Sequence, residues 1–373
     1  MSSELLAANT TADVAQQMTD QIRGVFAVEH ITRGLDDGRA IRLQGQLLTD
    51  SATAYDYIAD RFERLGYTPR LRERQGRLAI TALPIIFDTK PSRDPVALLF
   101  FGLTVLSVLF AGSLSQAPDL QWAIRHPLAG APFAIALLAI LLAHELGHYF
   151  VARHYGVSAS LPYFIPMPLS PFGTMGAVIR TRTPMRDRRQ LLAIGAAGPV
   201  AGLLVAIPAL LLGLMWSTVQ PIPTGEGIFL EGNSLLYAGM KLLVFGRLLP
   251  SNGYDVFLHP VAFAAWAGLL VTALNLIPAG QLDGGHIAYA LLGRHARWLN
   301  RLAAVAALGL SLVWSGWLLW AAVIVLFGQR NAEPLNEVTP LTESQRVFAI
   351  AMLALFALLF TPMPMTILTL STI

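Results

Sequence analysis

The stretch Leu138-Ala139-Ile140-Leu141-Leu142-Ala143-His144-Glu145-Leu146-Gly147-His148-Tyr149 decides how this chain reads. It closes an apolar segment that starts near Leu128 and carries no charged residue before His144. With the continuation to Ala152, the segment exceeds the ~20 residues needed to cross a ~30 Å hydrocarbon core. His144, Glu145 and His148 then place three ionisable side chains within five residues of a predicted span. Such groups are costly in hydrocarbon unless they are paired or coordinated. On a helix, residues four apart differ by about 40° in rotation and about 6 Å along the axis. Two imidazoles can therefore reach one ion from the same face, with Glu145 beside them as a general base towards an activated water. The competing reading, a chance His-x-x-x-His on a soluble surface helix, needs a soluble surface that this segment lacks.

Working outward, the whole chain of 373 residues is 54% hydrophobic and only 13% charged, against the ~25% charged of an ordinary soluble domain. Its charge is unevenly spread: residues 1–93 are polar, and the remainder holds long uncharged runs. This predicts a soluble domain over residues 1–92 followed by a polytopic membrane domain over 93–373. Nucleic-acid binding is excluded, because the net charge is only +3 and the basic residues lie between apolar runs, not on one contiguous face. The absence of cysteine removes disulfides, thiolate zinc sites and cysteine nucleophiles, so a metal must be held by His, Asp or Glu. The opening Met-Ser-Ser-Glu lacks the basic and apolar regions of a cleavable signal or transit segment, which points to a cell inner membrane.

Six spans are expected, over about 95–113, 128–152, 191–216, 261–278, 302–327 and 347–370, the last interrupted by Pro362 and Pro364. A shorter stretch, Ser234–Leu249, contains Lys241 and Arg247 and reads as an interfacial or packed helix. With the N-terminus in the cytoplasm, the inside loops carry nine arginines, from Arg153 to Arg189 and from Arg294 to Arg301; the outside loops carry five basic residues. The positive-inside rule favours this orientation. In the soluble domain, Asp36-Asp37-Gly38 and Gln75-Gly76 mark two hairpins, and Ser51–Leu65 has helical spacing with Asp50 or Ser51 as its cap. The domain is α+β, and nothing in it points to chemistry.

Two histidines leave a catalytic zinc site incomplete, since three protein ligands are usual. Asp283 is the next intramembrane carboxylate, within Asn275-Leu276-Ile277-Pro278-Ala279-Gly280-Gln281-Leu282-Asp283-Gly284-Gly285-His286. Pro278 and Gly280 break the helix there, which is tolerated at membrane depth only where backbone is buried in protein or lines a wet cavity. Asp283 reads equally as a third ligand or as a cap of the following helix. Asn275 could donate its amide to a developing oxyanion, or simply end a helix beside Pro278.

Together, His144-Glu145-x-x-His148 and Asn275…Pro278…Asp283-Gly284 resemble the site-2 protease family of intramembrane zinc metalloproteases, peptidase family M50. The likeness covers roughly residues 95–330. It includes Gly195-x-x-Gly198-Pro199-x-x-Gly202 and the stretches Leu161–Phe164 and Phe172–Ala177. The N-terminal domain and the wording Gln281-Leu282-Asp283-Gly284-Gly285-His286 most resemble the cyanobacterial and chloroplast branch, with no inserted PDZ-type domain. The resemblance implies one zinc per chain on His144, His148 and Asp283, Glu145 as the catalytic base and Asn275 at the substrate backbone or oxyanion. It also implies a mainly α-helical six-span core with a membrane-associated β-hairpin, whose substrates are transmembrane proteins within the lipid bilayer.

Ser158–Arg182 holds too many prolines for a span. Its half Gly173–Arg182 is strand-like, and serves either to align an extended substrate by strand addition or as a plain connection. His154 and His286 read as supporting or solvated residues, the glycines after Gly195 as close helix packing, and Arg186-Asp187-Arg188-Arg189 as a topogenic charge cluster. Gln329–Glu343 reads as a polar loop. Two other functions fit the hydropathy: a catalytically silent scaffold binding single-span helices, which needs neither Glu145 nor a metal, and a zinc transporter, which needs ligands along several spans. Oligomeric state, physiological substrate and cleavage position are not written in the chain.

Overall fold

The computed structural model describes residues 13–35, 40–74, 76–87, 95–222, 228–327 and 332–368. The turn Asp36-Asp37-Gly38, Gln75, the boundary residues Arg93 and Asp94, Gln329, Arg330 and the opening residues lie outside these. The chain forms two compact units, one of 1–89, 182–191 and 333–343, the other of 90–181, 192–332 and 344–373.

In the first unit a helix α1 (13–22) precedes β1 (Phe26–Leu35) and β2 (Ala40–Leu47), then α2 (Ser51–Arg64), β3 (Thr68–Arg74) and β4 (Arg77–Leu83). The strands form one antiparallel sheet in the order β1-β2-β4-β3. Asp50, not Ser51, caps α2, accepting from Ala52 N and Thr53 N, which satisfies first-turn donors that have no helical partner. Met18, Ile22, Phe26, Ile41, Leu43, Ile58 and Phe62 are fully buried between helices and sheet. Tyr55 is buried with them, donating to Pro69 O at 2.8 Å; burial pushes its phenol far above the usual range.

Two segments that read as loops complete this unit. Arg72 pairs with Glu333 and, at 2.8 Å, with Glu337, and Leu71 N donates to Leu335 O. Arg186 pairs with Asp56 at 2.5 Å, while Asp187 Oδ1 accepts from Arg189 N and Gln190 N at 2.9 Å. The polar loop and the arginine run are therefore structural here, a role their composition does not reveal.

The second unit is mainly helical. α3 (Pro95–Leu114) leads through α4 (Leu120–Arg125) to α5 (Ala131–His154). A hairpin of β5 (Tyr163–Pro166) and β6 (Thr174–Val178) precedes α6 (Arg188–Met215). Then come β7 (Thr218–Pro221), β8 (Ile228–Glu231), α7 (Leu235–Phe245), β9 (Tyr254–Phe257), α8 (Pro260–Asn275) and α9 (Asp283–Leu292). The chain closes with α10 (Ala296–Leu310), α11 (Gly316–Phe327), α12 (Glu343–Leu359) and β10 (Met365–Leu368). β7 pairs with β9 and β8 with β10, small sheets that the apolar pattern hides.

Among the described residues, three helices are long and apolar enough to cross a membrane: α3, the turn and helix Pro127–His154, and α6. Leu98, Leu99 and Leu106 on α3 are 60–65% exposed, an apolar surface suited to lipid. This is a multi-pass membrane protein.

In three of the expected spans the helices have other bounds. The stretch 302–327 is two helices, broken at 311–315. Ser311 Oγ bonds back to Leu308 O at 2.6 Å, and the Trp314 ring folds into space open only because Gly316 has no Cβ. The last helix ends at Leu359, because Pro362 and Pro364 cannot continue it. α8 ends at Asn275, since a residue before a proline avoids helical backbone and the chain must open ahead of Pro278.

Candidate metal centre

α5 carries the buried His144 and Glu145 and the half-buried His148 near its C-terminal end. Helical periodicity brings the two rings together, with centroids 5.0 Å apart and Nε2 atoms 3.3 Å apart. His148 Nδ1 lies 2.7 Å from Ile194 O on α6. Donation to that carbonyl fixes the tautomer and turns the Nε2 lone pair outward, as metal-binding histidines require.

The third donor comes from the break between α8 and α9. His259 and Pro260 start α8 with a cap and a residue that needs no N–H partner. Beyond Asn275 the chain turns, and Gly280 takes a left-handed φ of 53°, a conformation glycine adopts without steric cost. A Cβ on Gly284 would run into Leu276 O, and one on Gly285 would stand 2.5 Å from Gly280 O. Both glycines are needed for the tight fold-back. Asn300 Oδ1, on α10, accepts from Gly280 N at 3.1 Å and tethers the loop.

The cap reading of Asp283 is not what forms. Leu282 holds the cap position of α9 without a side-chain hydrogen bond, and the Asp283 carboxylate turns to the histidines. Its Oδ2 lies 3.1 Å from His144 Nε2 and its Oδ1 3.2 Å from His148 Nε2. Among the described residues this is the cluster of three His, Asp or Glu side chains able to hold one ion, with donor atoms all within 4.8 Å of one another.

The donor set fits zinc. Ligand atoms placed tetrahedrally at about 2.0–2.2 Å stand about 3.3–3.6 Å from one another, close to the spacing these three already have. A lone pair of His148 and a carboxylate facing each other at 3.2 Å repel unless a cation lies between them. Asn275 reaches the same point, its Nδ2 3.4 Å from His144 Nε2; its side chain faces the cluster instead of only ending α8. Glu145 is 7% exposed, next to His144 in the chain.

α6 makes this approach possible. A Cβ on Gly198 would fall on the His148 ring, one on Gly202 would stand 3.2 Å from His144 Cβ, and one on Gly195 2.8 Å from His286 Cβ. The glycines do pack helices closely, and what Gly198 and Gly202 admit is the pair of imidazoles of the cluster. His286 Nδ1 turns back to Leu282 O at 2.9 Å, outside the donor cluster. His154 ends α5 against Tyr155, with ring centroids 5.2 Å apart. Asn300 carries no motif of its own, and nothing in the sequence distinguishes it.

Two imidazoles and a carboxylate converging inside an apolar helical unit, with an adjacent buried glutamate, form a candidate metal site consistent with the His-Glu-x-x-His type. Residues 132–315 match the model of peptidase family M50, and the chain belongs to that family. It is similar to the protein named probable zinc metalloprotease EGY2, chloroplastic, of Arabidopsis thaliana, 33% identical over 71% of this chain and 48% of that protein. It is likewise similar to the Arabidopsis thaliana protein named probable zinc metalloprotease EGY1, chloroplastic, 32% identical over 65% of this chain and 48% of that one. A rice protein, Oryza sativa subsp. japonica EGY1, is 30% identical over 72% of this chain and 50% of its own length. This chain thus spans about half the length of the relatives it matches. No solved structure matches it.

Proposed function

We propose that this chain is an intramembrane zinc endopeptidase that hydrolyses peptide bonds within transmembrane helices of substrate proteins. The observation that carries this reading is the convergence of His144, His148 and Asp283 donors at 3.1–3.3 Å in a unit built of apolar helices. Family membership supports the hydrolytic chemistry.

His144 Nε2, His148 Nε2 and an Asp283 oxygen would hold one zinc ion. Zinc there supplies Lewis acidity, lowering the pKa of a water to about 7 and polarising a carbonyl. Glu145 takes the proton of the attacking water and returns it to the leaving amine. Asn275 donates its amide to the oxyanion as it develops. The β5–β6 hairpin offers strand edges along which an unwound substrate backbone aligns.

The remaining proposals concern topology. The helices form a six-span arrangement in a cell inner membrane, with shorter helices completing α3, α5 and α6, and the N-terminal unit lies on the cytoplasmic side. Loop arginines support the orientation.

The test is Glu145→Gln in the full chain, reconstituted with a single-span model substrate. Cleavage should fall by about 10³-fold or more, given what general acid–base groups contribute, with zinc content unchanged. Full activity in the variant removes Glu145 from the chemistry. Stoichiometric zinc without turnover of any substrate by the unaltered protein makes the chain a binding scaffold instead.

A further inference from the structure

A cavity of about 760 Å³ lies apart from the metal centre, between the end of α3, the β5–β6 turn, β8, β9 and the start of α8. Leu114, Leu169, Phe263 and Trp266 give it apolar walls, and Glu231 and Asp255 stand in the same lining. Behind these carboxylates Lys241 is fully buried, its Nζ 3.7 Å from Glu231 Oε1 and 3.5 Å from Asp255 Oδ1. Tyr237 donates to Glu231 Oε1 at 2.9 Å, and its ring lies under the ammonium at 4.6 Å. Val256 N donates to Asp255 Oδ1 at 2.8 Å. A buried ion triad is poor evidence for stability, since desolvation offsets much of its attraction. This one is arranged at a cavity wall, and its formal charge is −1, one cation short of neutral.

The position matters as much as the charge. Phe172 of the hairpin turn packs on both Phe263 and Trp266, with ring centroids 6.1 Å away in each case. A strand added along β5–β6 therefore has one end at this cavity. Trp266 and Asn275 lie nine residues apart on α8, about 14 Å at 1.5 Å per residue. Extended chain covers that distance in about four residues at 3.3 Å each.

The geometry points to a specificity site: the cavity receives a lysine or arginine side chain of the substrate protein, about four or five residues to one side of the bond cut at the metal centre. The aliphatic stem lies on Phe263 and Trp266, and the cationic head meets Glu231 and Asp255. Such a head completes the charge balance that Lys241 leaves open. Burial outweighs the pull of Lys241 and holds the Glu231 carboxyl above its ordinary range, and an arriving cation favours its ionised form. The inference rests on the protease reading for the cut bond, but not for binding.

Two measurements separate the two. Single-span peptides with Lys, Gln or Glu at each of eight positions on either flank are compared with the zinc-loaded full chain for kcat/KM. The same peptides are titrated for affinity with the Glu145→Gln variant. Lys at one position, four or five residues out, should exceed Gln by about tenfold in both, and Glu should fall below Gln. Asp255→Asn should bring the Lys/Gln ratio to about one. Because that change can unsettle the buried triad, Leu169→Lys is the second variant: Leu169 is 94% exposed at the cavity, and an ammonium there should invert the order of Lys and Glu. Equal affinities for Lys and Gln peptides at every position overturn the site, as does a preference unmoved by both variants. Position-dependent affinity with no cleavage of any peptide by the unaltered chain keeps the site and overturns the protease reading.

Discussion

The two halves of the candidate metal centre are built by opposite means. On α5, His144 and His148 are held by uninterrupted helix, and the spacing of four alone sets their common direction. On the other side, Asp283 is held by backbone that leaves the helix: Pro278 interrupts it, Gly280 reverses it, and Gly284 and Gly285 let it fold onto itself. A helix delivers two ligands cheaply along one line, but a third from the side needs a segment free to turn. The regular half depends on room being left by α6, and the irregular half on an outside tether.

That contrast can be broken at four points. The largest effect is expected from Gly198→Val, which puts methyl groups where the His148 ring stands. Zinc affinity, read by chelator competition, should fall by a hundredfold or about that. Normal affinity would show that α6 does not shape the regular half. Gly284→Ala attacks the irregular half by placing a methyl against Leu276 O. Overpacking of this kind costs about 3 kcal/mol at most sites that cannot relax, visible as lower resistance to unfolding and a zinc loss of about tenfold.

Asn300→Leu removes the tether at Gly280. Zinc should bind about tenfold more weakly, in the range for groups that orient ligands, and Asn300→Asp, which keeps an acceptor oxygen, should recover most of it. Equal loss in both variants would mean that Asn300 packs and does not position. The smallest effect is reserved for the other unit: Tyr55→Phe leaves Pro69 O without its buried donor, costing about 1–2 kcal/mol. That should lower the melting midpoint of the N-terminal unit and leave zinc affinity untouched; a change in zinc affinity would show that the two units are energetically coupled.

Much of the site was legible beforehand because its signals are local. The His144–Glu145–His148 spacing, the apolar run before it and the proline-glycine break around Asp283 each lie within a few residues. The choice between ligand and cap for Asp283 was not legible, since both roles suit an aspartate at a helix start. Neither was the function of Gly198 and Gly202, which read only as close packing, nor that of Asn300. The N-terminal hairpins were visible from their turn residues. The attachment of 333–343 to that sheet and of Arg186 to α2 was not, because polar segments look alike whether solvated or paired. The break inside 302–327 was not legible for a related reason: apolar composition is the same for two short helices as for one long helix.

By itself, the sequence determined a polytopic membrane chain with a small α+β unit, and two imidazoles one helical turn apart beside a glutamate. Periodicity and hydropathy are short-range properties, readable along the chain. Only the tertiary structure decided that an aspartate 139 residues from His144 meets those rings, that helix glycines make the room for them, and that Lys241 is buried at the wall of a second cavity. Each of these depends on which atoms from distant segments share a few ångströms of space, and no local pattern encodes that.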